Sequence, residues 1–377
     1  MQKKLHIVSF NVPYPADYGG VIDVFNRILT LHRLGVEVHL HTFTYGRPPA
    51  AELERLCASV TYYRRRTGLR SVTGRRPYIV ESRDSKELIA NLQRDDAPIL
   101  LEGLHCCSVL EALEGRRILV RAHNVEHEYY AHLAAAEHSL FRRVYLRCES
   151  RWLRRYEPVL LKADAVLAVT EADAAHFRSI GCRRVLLMPS SHNDDEVVSL
   201  AADAPGEGRG YVLYHADLSV PENVDAVDYL KDNLFCRSGI RFVVAGRNPS
   251  KQMAATLAAL PNVELVANPD DDAMHSLIAN AQVLMLFTNA PTGLKLKLLN
   301  SLYAGRHCLV NSAMVAGTDL GRLCTVADTA AEQLEALDRL MHTPFTPADI
   351  EQRRHLLGAL YSNEASAKIL LSEISDQ

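Results

Sequence analysis

Short apolar runs alternate with longer amphipathic stretches along all 377 residues. The first run, Lys4–Asn11, reads as a strand. Val21–Gly35 follows with helical periodicity and a glycine stop, and Glu37–Phe43 is the next strand. Further strands are predicted at Ser59–Arg65, Pro98–Glu102, Arg117–Asn124, Ala165–Thr170 and Arg184–Pro189. Helices fill the intervals, Glu171–Gly181 among them. The rhythm breaks at Ser190–Gly210, where Asp203-Ala-Pro-Gly-Glu-Gly-Arg-Gly210 has the composition of a linker. A second series opens at Tyr211–His215, with strands predicted at Arg241–Ala245, Val263–Ala267, Val283–Phe287 and Cys308–Asn311. Its helices are predicted at Val224–Phe235, Lys251–Leu260, Asp271–Ala281, Leu294–Ala304, Thr329–His342, Thr346–Tyr361 and Glu364–Ile374. The predicted class is α/β: two tandem doubly wound parallel-sheet domains, Rossmann-like, with a cleft between them. The expected division is residues 1–190, a linker at 191–210, a domain at 211–355, and a C-terminal helix at 356–377 packing back on the first domain.

Composition fits a globular chain, 48% hydrophobic and 23% charged. No apolar run reaches the length of a transmembrane helix. The start of the chain leads straight into a strand and lacks the pattern of a secretory signal. The eight cysteines show no CxxC and no metal-type spacing, so they read as reduced core cysteines of a cytoplasmic protein.

Charge changes this picture. Residues 1–190 hold 28 Lys and Arg against 21 Asp and Glu, a net +7, and the remainder is net −10. Such asymmetry points to an anionic partner for the first half. The excess lies in Arg64–Arg66, Arg70, Arg75 and Arg76, and again in Phe141–Tyr156. The latter reads as an amphipathic helix that packs its Val, Leu and Trp face on the core. For residues 64–76, attraction to an anionic membrane surface competes with pairing to acids of the same domain. No nucleic-acid-binding module accompanies the arginines.

Open parallel sheets bind ligands beyond the carboxyl ends of their strands. After the first strand come Gly19 and Gly20, which open a helix and permit close approach of an anion. This is not GxGxxG, so a nicotinamide cofactor is not indicated. After the Arg117 strand come Arg121-Ala-His-Asn-Val-Glu-His127, with His123 and Asn124 at the strand tip. After Val243–Ala245 come Gly246-Arg247-Asn-Pro-Ser250. The most informative segment is Thr292-Gly-Leu-Lys-Leu-Lys-Leu-Leu-Asn-Ser-Leu-Tyr-Ala-Gly305. It reads as a glycine-led turn at Gly293 and an apolar helix opening with Lys295 and Lys297. Lysines there oppose the helix dipole, which makes sense where a phosphate binds. Asp270-Asp271-Asp272 matches a DxD pattern only trivially, because acids suit a helix start. Asp194-Asp195 lies in the linker. No metal site is expected.

Together these motifs, with Tyr214-His-Ala-Asp-Leu-Ser-Val-Pro-Glu-Asn223, resemble the GT-B-fold glycosyltransferases of the retaining family-4 type over nearly the whole chain. The resemblance implies that Gly19 and Gly20 lie near the donor pyrophosphate and that His123, with Asn124 beside it, serves the transferred sugar. It implies that Lys295 and Lys297 bind the diphosphate, with Gly293 and Arg247 also on the donor. It departs from the common pattern at two positions, where Thr292 and Asn300 replace a pair of glutamates. Asn300 can still hydrogen-bond a ribose hydroxyl; Thr292 supplies no charge. The chain thus resembles a variant branch. The implied activity is sugar transfer from a nucleotide-sugar donor to a glycan or lipid-linked acceptor, retaining and metal-independent; the expected location is cytoplasmic, and the charge asymmetry separately favours docking on the inner face of a membrane. The alternatives are a weakly active or inactive homologue that binds nucleotide sugar or partners another transferase, and a nucleotide-sugar epimerase.

Overall fold

The computed structural model describes residues 3–16, 19–68, 76–192, 210–289 and 293–375. Most of the expected linker, Asp194, Asp195, Arg70, Arg75 and Thr292 lie outside the described residues. The chain divides into two compact units. The first comprises Met1–Ser191, Thr292–Leu294 and Asn363–Gln377; the second comprises His192–Pro291 and Lys295–Ser362.

The first unit is built on seven strands: β1 (Lys4–Ser9), β2 (Glu37–Thr44), β3 (Ser59–Arg64), β4 (Ile99–Glu102), β5 (Ile118–Ala122), β6 (Ala165–Ala168) and β7 (Val185–Leu187). They pair in the order β3-β2-β1-β4-β5-β6-β7, all parallel. The strands are apolar without alternation because both faces are covered. Neighbours along one strand enter opposite cores. Val8, Leu101, Val120 and Val166 pack on one side, and Ile7, Leu100, Leu119 and Leu167 on the other. Each fully buried side chain of this kind stabilises by about 1.5–3 kcal/mol.

The helix Asn363–Ser375 groups with this unit and inserts Leu370 and Ile374 into the second of those cores. Its Glu373, 2% exposed, accepts from Arg117 Nη2 at 3.1 Å and from Arg184 Nε at 2.8 Å.

The second unit has six strands: β8 (Tyr211–Asp217), β9 (Arg241–Arg247), β10 (Val263–Ala267), β11 (Val283–Leu286), β12 (His307–Val310) and β13 (Thr325–Val326). Their order is β10-β9-β8-β11-β12-β13, again parallel. Strand β13 has two residues, too few for a periodic signal, and sequence reading misses it. In both sheets strand order reverses beside one strand, β1 in the first and β8 in the second. These are the topological switch points where α/β sheets open a crevice at the carboxyl ends.

One expectation is corrected. The helix Leu140–Tyr156 does not pack its whole apolar face on the core. Leu153 is fully buried, but Leu140, Phe141, Val144 and Tyr145 are exposed by 69, 85, 59 and 42%. The reason is local: this helix packs chiefly on its predecessor, Glu126–Ala136, which leaves the other face of its amino-terminal half uncovered.

Among the described arginines of 64–76, Arg65, Arg66 and Arg76 are engaged. Arg65 lies 4.4 Å over the Tyr45 ring and donates to Ser82. Arg66 sits 3.5 Å from Asp84, and Arg76 sits 3.3 Å from Glu111. The cysteines are free thiols; most are buried, but Cys148 and Cys236 are exposed.

Candidate active site

At the switch point of the first sheet, five charged or titratable side chains converge. The helix Gly19–Arg33 turns Asp23 and Arg27 inward among Val24, Ile28 and Leu31. Arg27 Nη2 lies 2.6 Å from Asp23 Oδ2, an i,i+4 pair, and its Nη1 reaches Glu102 Oε1 at 3.2 Å. Glu102 ends β4. Arg121, in β5, is completely buried; its Nε donates to Asp23 at 3.2 Å and its Nη1 donates to the Met188 carbonyl. Burial opposes ionisation of Asp23, yet Arg121 and Arg27 hold its carboxyl well below the usual range.

His123 completes the group just past β5. Its Nε2 lies 2.9 Å from Glu102 Oε2 and its Nδ1 lies 3.7 Å from Asp23 Oδ2. With a carboxylate at 2.9 Å, Nε2 carries the proton and donates. The ring meets Phe10 edge-on, with centroids 5.7 Å apart. Phe10 also presses on the start of the Gly19–Arg33 helix. A Cβ at Gly20 would come 2.7 Å from the Phe10 ring, so only glycine fits there without displacing it. Gly293, grouped with this unit, has φ of +67° and packs on Asn124, where a Cβ would meet Oδ1 at 2.2 Å. His123, Asn124, Gly20 and Gly293 therefore gather in the first unit, as does Gly19 at the helix start.

Just beyond Asn124, Glu126 is 4% exposed, and burial together with Glu157 pushes its pKa up to about 8. Neighbouring His105, held neutral mainly by burial, lies 3.9 Å away.

The second switch point holds the lysines. The helix Leu296–Ala304 takes Lys295 as its N-cap residue, with no side-chain cap, and Lys297 in its first turn. Lys297 is half-buried. Its ammonium donates to the Phe287 carbonyl at 3.1 Å, lies 3.5 Å from Asn223 Oδ1, and sits 5.8 Å from the Tyr214 ring centroid. Desolvation lowers its pKa to about 8, with Glu222 opposing and Lys295 reinforcing the shift. Glu222 opens the helix Pro221–Asn233 and accepts from Thr288 Oγ1 and from the Asn289 backbone N–H at 2.7 Å. Burial disfavours its charge, but those bonds and the two lysines keep it ionised.

Asn300 follows one turn along the lysine helix. His215, buried in β8 and neutral with a pKa pushed down to about 3 by burial, ties that helix to the sheet through Ser301 Oγ at 3.0 Å. Arg247 ends β9 opposite Asp217 of β8, exposed and 3.6 Å from Asp271. Asp270 caps the helix Asp271–Asn280 by accepting from Ala273 N–H at 2.8 Å.

Sequence reading missed Asp23, Arg27, Glu102 and Glu222. A faint signal existed for two of them: Asp23 and Arg27 sit four apart on the apolar face of a helix, where charges are rare unless paired. Glu102 and Glu222 carry no local signal, because their partners lie far away in the chain.

No family model matches the chain. An uncharacterized 44.6 kDa protein in the cps region of Klebsiella pneumoniae is 33% identical over 152 residues, which span 38% of this chain and 39% of that protein. Among solved structures, the chain is similar to sucrose-phosphate synthase from Thermosynechococcus elongatus, with a TM-score of 0.68 at 15% identity, covering 98% of both chains. A glycosyltransferase from Rickettsia africae gives a TM-score of 0.67 at 12% identity over 100% of this chain and 99% of that one. HepE of Anabaena, solved with UDP, gives 0.63 at 12% identity over the full length of both. The fold is therefore the two-domain α/β arrangement of the GT-B class.

Proposed function

We propose that this chain is a glycosyltransferase that moves a hexosyl group from a nucleotide sugar to a glycan or lipid-linked acceptor, with retention of configuration. The observation that carries it is the gathering of Lys295 and Lys297 at the amino end of one helix, within electrostatic reach of a single carboxylate, Glu222, at the switch point of the second sheet. A diphosphate brings more negative charge than Glu222 supplies, and the amino end of the lysine helix, without a side-chain cap, adds donors. HepE, similar in fold, binds UDP.

In this reading Lys295, Lys297 and the helix dipole stabilise the departing nucleotide phosphate, so the transfer runs without a metal ion. Arg247 flanks the donor from β9, and Asn300 bonds the ribose. Gly19, Gly20 and Gly293 give backbone access. In the first unit, His123 and Asn124 address the transferred sugar, and Glu102 fixes the tautomer of His123.

Turnover of GDP-, UDP- and ADP-sugars with lipid-linked and glycan acceptors tests the reaction, and the anomeric configuration of the product tests retention. His123→Ala lowers turnover more than it lowers donor binding, since the contact matters most in the transition state. Equal losses in both would return His123 to a ground-state or structural role. The replaced glutamates, at Thr292 and Asn300, favour a second reading: a homologue that binds nucleotide sugar and turns it over weakly or not at all. Binding without transfer supports it, and interconversion of donor sugars without any acceptor supports an epimerase.

The acceptor reading extends to an anionic membrane. The exposed Leu140, Phe141, Val144 and Tyr145 alternate with the exposed Arg142 and Arg147 on one helix, an apolar patch set in positive charge. That arrangement suits an interfacial helix on anionic lipid. It is a better candidate than residues 64–76, where Arg66 and Arg76 pair with acids. No helix among the described residues is long and apolar enough to cross a membrane.

A further inference from the structure

The first unit holds a second histidine–carboxylate cluster, separate from the His123 group. Its members come from three elements: His127 from the first turn of Glu126–Ala136, Glu157 from the short turn Glu157–Lys162, and His176 from Glu171–Ser179. His127 Nδ1 lies 3.2 Å from Glu157 Oε1, and His176 Nε2 lies 2.8 Å from Glu157 Oε2. One ligand atom from each residue can be chosen so that all three lie within 4.8 Å of one another.

Asp23, Glu102 and His123 meet the same distance test. There, however, the Arg27 and Arg121 guanidiniums already sit on the carboxylates, and a cation would face two fixed positive charges. Around Glu157 the charge is of the other sign. The groups that hold Glu157 ionised against burial are the two histidines themselves. The nearby buried acids are Glu126 and Asp173, with Arg83 acting on Glu126. No arginine or lysine bonds Glu157 among the described residues. The side chain of His176 is 23% exposed, against 5% for Glu157, which leaves a path for an ion to enter.

We propose that His127 Nδ1, the Glu157 carboxylate and His176 Nε2 bind a divalent cation of the zinc class, with water completing a tetrahedral shell. Two imidazoles and one carboxylate are a donor set that zinc favours. Metal–ligand bonds of about 2.0–2.1 Å put tetrahedral donors about 3.3 Å apart. The observed contacts, 3.2 Å to Oε1 and 2.8 Å to Oε2, go to different oxygens of Glu157, so ligation through one oxygen takes a turn of the carboxylate within the 4.8 Å group. His127 Nδ1 and His176 Nε2 now donate to Glu157; on binding, each loses that proton to solvent or to the far ring nitrogen, each ring ligates as neutral imidazole, and the cation keeps its +2 charge. The ion would brace three elements around the helix that begins right after His123 and Asn124. Its role is structural and leaves the sugar transfer metal-independent.

The test is cobalt(II) and zinc(II) titration of the chelator-treated full chain, Glu157→Gln and His176→Gln. Cobalt is followed by visible absorption, zinc by calorimetry and by the shift in Tm. The wild type takes up cobalt with a tetrahedral-type spectrum, and zinc raises its Tm. His176→Gln, at a partly exposed position, folds and binds at least about tenfold more weakly, a loss that even an outer-shell change can produce. Its Tm no longer responds to zinc. Absence of the spectrum in the wild type, or unchanged affinity in His176→Gln, overturns the proposal, whether or not Glu157→Gln folds.

Discussion

The two switch points use charge in opposite ways. In the first sheet, Asp23 and Glu102 meet Arg27 and Arg121 at hydrogen-bond distance, deep in the unit, and His123 is fixed by the same carboxylates. In the second, two lysines act on one carboxylate, and the pKa of Lys297 is lowered to about 8. A cluster that balances its own charges holds shape. A cluster with an excess of one sign at a strand-end crevice is held at a cost that an anionic ligand can remove. On the proposed function, the first cluster is a scaffold that positions His123 and the second a donor site, and substitutions should separate them.

The sharpest break is expected at Asp23. Asp23→Ala leaves Arg27 and Arg121 buried beside too little negative charge. Removing one partner of such a group typically costs about 3–5 kcal/mol. Thermal and urea unfolding should show that loss, and the double variant Asp23→Ala with Arg121→Met should recover part of it. A stable Asp23→Ala protein would refute the scaffold reading.

Next in size is the pH dependence carried by Glu126. Its pKa is raised from the ordinary 4.5 to about 8 in the folded state. The folded chain therefore holds this proton more tightly than the unfolded chain. Its stabilising effect is complete below pH 4.5 and fades as pH rises toward about 8, a change on the order of a few kcal/mol. Glu126→Gln should flatten stability across that window. Parallel pH profiles for variant and wild type would show that Glu126 titrates normally.

Lys295→Ala and Lys297→Ala invert the Asp23 pattern. Each should weaken nucleotide-sugar binding by roughly 1.5–3 kcal/mol, the scale of one charge-assisted contact. Neither should lower Tm appreciably. Donor affinity of the wild type should also fall as pH rises past about 8, where Lys297 loses its proton, and Lys297→Ala should lose that dependence. Calorimetry across pH reads both effects, and unchanged affinity in both variants would remove the lysines from the site.

The smallest effects are expected on the outside of the first unit. Arg142→Gln and Arg147→Gln should each weaken binding to anionic vesicles by about 1 kcal/mol, and Phe141→Ser should weaken it further. Liposome flotation with and without anionic lipid, at low and high salt, measures this. Binding indifferent to lipid charge and salt, or no binding, would leave a soluble acceptor.

Local pattern determined the two-sheet α/β architecture, because nearly every strand, the two-residue β13 aside, announces itself by the spacing of its own apolar residues. The strand cores Leu5–Val8, Leu119–Val120 and Val283–Leu286 needed no distant information. The lysine helix was equally legible, since Gly293, Lys295, Lys297 and Asn300 lie within one short segment. Tertiary structure alone decided which charges meet. Glu102 finds Arg27 across 75 residues, Glu222 finds Thr288 across 66, and Glu157 joins His127 and His176 across 30 and 19. It also decided that Phe141 and Val144 stay exposed while Leu153 of the same helix is buried, because burial depends on what lies opposite a residue. Periodicity along a chain reports the face a side chain takes; the identity of its neighbour is a property of the folded whole.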